Sequence, residues 1–374
     1  MTSNSTIGRS KWIAAAVAMI FMVSAAAVCL DAAYAAGDDE PETFDVDETF
    51  TSIFGIISFL FIEEPSDDAT VISNDHDVNH SEEYDDLVLK DGAVLNFNNG
   101  AVLSADRLFI EGNVKFVNAD GSKPRLFAES VFLEGCRCLL TDTALTTDKS
   151  VTVDAKKTTT GFYDPSSGTL DTSKGMKESL DAKIYIDGYM ELSGKTQAKF
   201  YSGNGSPAVE FYADYDLDGF YKSLKDNLDG MVMDASSVSK VVDYLANKLV
   251  YPDIDLGMKV AKATAGSATV SDVSVTFVSS QADGDIAFGL NVGSSEGDFE
   301  CEKLVLNAVR SLEKTDISGS ADRLVSKSAG SNIGAAKQTA EFRNLKFSFS
   351  TEEDKVLEIV AANIADGPQA VIDA

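Results

Sequence analysis

Ten residues, Leu103–Gly112 (LSADRLFIEG), return 23 residues later as Leu126–Gly135 (LFAESVFLEG), with five positions identical. A unit of this size has an apolar face that it cannot bury alone, so it must stack on a neighbour like itself. The echo extends further: Gly92–Leu95 is repeated at Gly100–Leu103, and Ser104–Leu108 returns letter for letter at Ser320–Leu324. Looser copies begin at Cys301, Ala321 and Phe342, 20 and 21 residues apart. A period of 20–23 residues fits one coil of a β-solenoid, or one antiparallel hairpin added to a long sheet. The predicted fold class is therefore mainly β, a repetitive β-solenoid or long twisted β-sheet.

The period is interrupted once. Phe220, Tyr221, Leu224, Leu228 and Met231 have helical spacing, as do Val238, Val241, Val242, Leu245 and Leu249 after a cap at Ser236 or Ser237, with Pro252 as the stop. This predicts a helical hairpin insert near 220–250. Near the C-terminus, Leu345, Phe347 and Phe349 alternate, which favours a hairpin over a helix for the residues that follow.

The N-terminus predicts export. Arg9 and Lys11 precede an apolar stretch, Trp12–Leu30, and Ala33-Tyr34-Ala35 matches a signal-peptidase site. The stretch is long enough that an uncleaved N-terminal anchor is the competing reading. The expected organisation is a signal peptide or anchor over 1–36 and an acidic, largely disordered leader over 37–83, with an apolar run at 53–62. A repetitive β domain over 84–155, a linker over 156–182 and a second β-rich domain over 183–374 follow. The expected location is the cell envelope, the cell surface or the extracellular space.

Charge narrows the partners. The chain carries a net charge of −29, and loses one more positive charge than negative if Arg9, Lys11 and Asp31 are removed with the signal. Such a balance repels phosphate backbones and anionic lipid surfaces, which argues against nucleic acid as a partner. Membrane contact is expected only through residues 12–30, if they are retained. The single tryptophan, Trp12, lies in that stretch, so the exported part lacks the platform most common in sugar-binding grooves.

Few residues suggest chemistry. Asp214, Asp216, Asp218 and Gly219 match the opening of a calcium loop, but Lys225 stands where the bidentate Glu is needed, and the segment also reads as a strand with one acidic face. Calcium is accordingly the single cofactor considered. His76 and His80, the only histidines, are spaced as half of a zinc or nickel site. Cys301 bridged to Cys136 or Cys138 is one expectation for an exported chain, and three free thiols are the other. No nucleophile elbow and no Gly-rich phosphate loop occurs, so no catalytic residue is assigned.

The Gly-Ala-Val-Leu echoes and the Ala-Asp-Arg-Leu repeat resemble the repetitive β-solenoid segments of prokaryotic adhesin-like surface proteins, mainly over residues 84–155. The resemblance implies a non-catalytic scaffold or binding protein with a protein or cell-surface partner that it does not specify. The alternative is a sheet with one apolar face that holds apolar ligands, as in envelope lipid transport; an exported hydrolase is third. An open apolar face would favour lipid, and fully buried rungs the scaffold.

Overall fold

In the computed structural model, Ala105 lies directly opposite Ala128, and Ile110 opposite Leu133, in parallel strands. The 23-residue echo is therefore one coil of a solenoid. The residues described are 43–48, 50–51, 63–164, 166–194, 197–203, 205–232, 239–241, 243–244, 248, 250–282, 284–311, 314–327, 339–350, 358–360 and 363–364. The expected signal or anchor segment over 1–36 and the apolar run at 53–62 lie outside them. The fold is mainly β, solenoid-like, with few helices. Contacts divide the chain into two units, one drawn from residues 65–158, 179–215 and 253–374, the other from 1–64, 159–178 and 216–252.

In the larger unit, β1 (Thr70–Ile72), β3 (Glu82–Leu89), β5 (Val102–Ile110) and β7 (Arg125–Leu133) stack in parallel. Alternating with them along the chain, β2 (Asp75–Val78), β4 (Val94–Phe97) and β6 (Asn113–Asn118) form a second parallel stack. Residues 70–72 and 75–78 thus form strands where a disordered leader was expected. They are ordered because β3 and β4 satisfy their backbone groups, a gain that acidic composition does not reveal. Identical register puts Ile72, Leu89, Ile110 and Leu133 in one apolar column. Leu89, Leu95, Leu103 and Val114 are fully buried in this core. Corners need left-handed backbone: Gly112 has φ 73°, and a Cβ there would meet the Asp91 side chain at 2.6 Å.

After β7 the chain reverses. β8 (Cys136–Thr147) runs antiparallel to β7, and β9 (Ser150–Thr159) antiparallel to β6. A small hairpin of β10 (Tyr163–Asp164) and β11 (Thr169–Leu170) follows, inside the segment expected as a linker. Next come β12 (Lys177–Asp187), β13 (Met190–Ser193), β14 (Ala198–Tyr201) and β15 (Val209–Asp216). β13 continues the antiparallel order beside β8, and β14 leads to β16 (Asp253–Ala265). β16, β17 (Ala268–Ser280), β18 (Asp285–Glu296), β19 (Phe299–Ser311), β20 (Thr315–Lys327) and β21 (Thr339–Ser350) then form a meander of long antiparallel strands. β22 (Glu358–Val360) and β23 (Asn363–Ile364) pair antiparallel with β21, in agreement with the terminal hairpin. Both expected repeat geometries occur, coils first and hairpins afterwards.

The smaller unit is built around α1 (Asp218–Leu228), whose Phe220 and Leu228 are buried. Phe44, Val46, Val241 and Tyr244 complete its core, with Tyr221, Leu224 and Met231 packed against it. Residues 239–241 and 243–244 are also helical, in the second half of the expected insert. Asp47 accepts hydrogen bonds from Lys225 and Tyr221, which fastens the 43–51 segment to α1.

Candidate functional site

The meander separates its side chains by chemistry. Cross-strand partners share a face, and successive residues alternate between faces. One row across the six strands reads Leu256, Phe277, Phe288, Ala308, Ile317 and Phe349. The next row on the same face reads Met258, Val275, Leu290, Leu306, Gly319 and Phe347. A third begins Val260, Val273, Val292 and Leu304, and Ala321 pairs with Leu345 in line with it. No charged or hydrogen-bonding side chain enters these rows. The opposite face is mainly polar: one row reads Lys259, Ser274, Asn291, Val305, Ser320 and Lys346, and the next Gly257, Thr276, Gly289, Asn307, Ser318 and Ser348.

The apolar face is not a closed core. In its first two rows only Gly319 is buried; Met258 is 42% exposed and Ile317 39%. The solenoid interior, by contrast, leaves Leu89 and Leu95 at 0%. Six strands spaced ~4.8 Å apart make the face about 24 Å wide, and the three rows span about 14 Å along the strands. An unfilled apolar surface of this kind takes ligands that need no hydrogen bonds, because any polar group pressed on it is left unpaired.

A line of backbone irregularity borders the face. Positions 261, 272, 293, 303, 322 and 344 lie opposite one another across the six strands, and at each the ladder pairing is interrupted without a change of register. Asp272, Lys303 and Asn344, on alternate strands, have φ of 52°, 49° and 52°. Lys303 and Asp322 form an ion pair of 2.7 Å on this line.

The residues singled out for metal binding are engaged otherwise. Asp216 pairs with Lys177 at 2.6 Å and accepts the amide of Asp218 at 3.0 Å. Asp218 accepts the Met176 amide at 2.7 Å, and Asp214 is exposed in β15. The three carboxylates serve the start of α1 and a strand face, and the structure does not gather them into a calcium site. His76 contacts Glu82 at 2.9 Å, and Tyr84 donates to the same carboxylate at 2.7 Å. Burial and the Glu82 carboxylate push the Tyr84 phenol up to about 12. Among the described residues no group of three or more His, Cys, Asp or Glu could hold a metal ion.

Among the described residues, the expected bridge from Cys301 to Cys136 or Cys138 is not formed. Cys301 is buried in the meander, where it accepts a hydrogen bond from Ser295 at 3.2 Å, whereas Cys136 pairs with Leu133 at the last coil. Burial and the adjacent Cys136 push the Cys138 thiol up to about 12, which leaves it a poor nucleophile.

Inside the solenoid, Asp86 is the one carboxylate held at 5% exposure. Arg107 donates to both its oxygens, and the Ser66 amide and hydroxyl donate at 2.7 and 2.8 Å. Burial works to raise its pKa, but these bonds outweigh burial and hold it below 3.8. This is a structural clamp between successive coils, since Asp86 and Arg107 are register partners.

Sequence reasoning raised an open apolar sheet face as an alternative but assigned no residues to it. Its strands were legible singly, in the alternation of Val273, Val275 and Phe277 or of Leu345, Phe347 and Phe349. Their assembly on one side depends on register, which local alternation does not fix. No family model, no curated protein and no solved structure matches this chain.

Proposed function

We propose that the protein is an exported, non-catalytic binding protein of the cell envelope, which holds the alkyl chains of lipids or fatty acids on the apolar face of its meander. The observation that carries this reading is the six-strand face itself, uncharged over three rows and only half covered. An alkyl chain is the occupant that suits it. Each methylene removed from water contributes ~0.8 kcal/mol, and no donor or acceptor is required in return. A peptide laid on the same face would leave its backbone groups unpaired. The ~24 Å width exceeds the ~15 Å hydrocarbon depth of one bilayer leaflet, so a long acyl chain fits without folding back.

The fully buried coils support a second role for the other part of the larger unit, as a rigid, adhesin-like scaffold that presents the meander. Titration with a fluorescent long-chain fatty acid tests the reading. Saturable binding is expected, lost in Leu290→Asp at the centre of the face and kept in Asn307→Asp on the opposite side. If the wild-type chain does not bind, or if both variants behave alike, the lipid reading falls and the scaffold reading stands alone.

A further inference from the structure

Gly319 is the only position of the two complete apolar rows without a side chain, and its place is filled from the next strand. A Cβ on Gly319 would lie 2.4 Å from both Cε1 and Cζ of Phe347 and 2.8 Å from Cδ2 of Leu306. Phe347, directly opposite in β21, therefore lays its ring across the glycine, while remaining only half-buried. Leu306 and Phe347 flank this slot at the glycine, and the next residue of the face along β20, Ala321, is itself buried at 2% exposure. A ring covering a cross-strand glycine stabilises the pair by itself. Here the pair also sits in the middle of a ligand-sized surface, and Ile317, the next residue of that face on β20, is 39% exposed.

We propose that Phe347 is a displaceable plug and the residue that sets affinity for the alkyl ligand: the ring turns out about its side-chain torsions, and the alkyl chain takes its place over Gly319. The inference rests on the apolar-ligand reading above. A plug that closes the slot most of the time lowers the apparent affinity by the fraction of time it is open, so a slot open about one tenth of the time weakens binding about tenfold. Removing the ring removes that penalty, and a permanent side chain at Gly319 deepens it.

The test is a titration of the full chain with a fluorescent long-chain fatty acid, for the wild type, Phe347→Ala, Phe347→Leu and Gly319→Leu, with far-ultraviolet circular dichroism as the check on folding. Binding about tenfold tighter in Phe347→Ala, and about tenfold weaker in Gly319→Leu, is expected. Phe347→Leu should also be tighter than wild type, and it carries the test if the alanine variant does not fold. Equal or weaker binding by the Phe347 variants overturns the proposal, because the ring would then be part of the ligand's surface. A wild-type chain that does not bind removes the apolar-ligand reading itself, and a bound wild type with indifferent Phe347 variants removes the plug alone.

Discussion

Phe109 and Phe132 stack with ring centroids 4.6 Å apart and planes 13° from parallel. They are register partners in β5 and β7, continuing a column that starts at Val71 and Val88. Both rings are buried, and the guanidinium groups of Arg107 and Arg137 lie over them at 5.5 and 5.9 Å. Phe132→Ala should cost ~3–5 kcal/mol in chemical denaturation, because it leaves a ring-sized void against a neighbour that cannot collapse into it. A loss below ~1 kcal/mol would mean the stack is peripheral to the cooperative core.

The apolar column gives a second contrast. Ile110 is 4% exposed between Leu89 and Leu133, so Ile110→Asp buries an unpaired carboxylate and should cost several kcal/mol. Glu111 follows it and pairs with Lys90. Glu111→Lys exchanges a half-exposed ion pair for a repulsion, and should cost at most ~1 kcal/mol in the same thermal unfolding measurement. Similar losses from both would mean the inward and outward positions are misassigned.

How far the sequence carried this fold is visible at Ala105 and Ala128. Five identities in ten placed them at equivalent sites, and the structure puts them in direct register. The same period did not say that coils run parallel through β7 and hairpins antiparallel from β16 onward, because either geometry buries one face every 20–23 residues. The calcium reading at Asp214, Asp216 and Asp218 gains no support from the structure, for a different reason. Lys177, which pairs with Asp216, is distant in sequence, and nothing local to the acidic run announces it. His76 likewise meets Glu82 across a turn rather than His80 through a metal. The apolar face was hidden at the level of register, as above.

Asp218 offers a direct test of that revised role. Its carboxylate accepts the Met176 amide, a charged hydrogen bond at the start of α1, so Asp218→Ala should cost ~1.5–3 kcal/mol. The melting temperature of the wild type should be the same in millimolar calcium and in chelator. A rise with calcium that Asp218→Ala abolishes would restore the metal site.

The irregular line beside the apolar face predicts a position effect on substitution. Asn344 has φ 52°, where a β-branched side chain is strained, so Asn344→Val should destabilise by ~1–2 kcal/mol. Asp322, its opposite number in β20, is absent from the positive-φ residues and is exposed. Asp322→Val loses only the surface pair with Lys303 and should stay within ~1 kcal/mol of wild type. Equal costs in urea titrations would show that the left-handed backbone at Asn344 is not required.

The coil clamp sets the acid limit. Asp86 has its pKa depressed in the folded chain, below the ordinary 3.8, by bonds from Arg107 and Ser66 that outweigh its burial. A group depressed in this way adds stability that is complete above its unfolded pKa and is lost as pH falls through the folded value. Stability should therefore be insensitive to this group at neutral pH and fall below about pH 4. Asp86→Asn should flatten that part of the acid limb while lowering stability at pH 7. Arg107→Ala is the harsher change, since it leaves a carboxylate that is 5% exposed without its counter-charge and with Ser66 as donor, and ~3 kcal/mol is expected at pH 7. Its loss should shrink on acidification as Asp86 protonates and no longer needs the guanidinium. A deficit that stays constant from pH 7 to pH 3 would mean that Arg107 acts through its packing over Phe109 and not through the charge of Asp86.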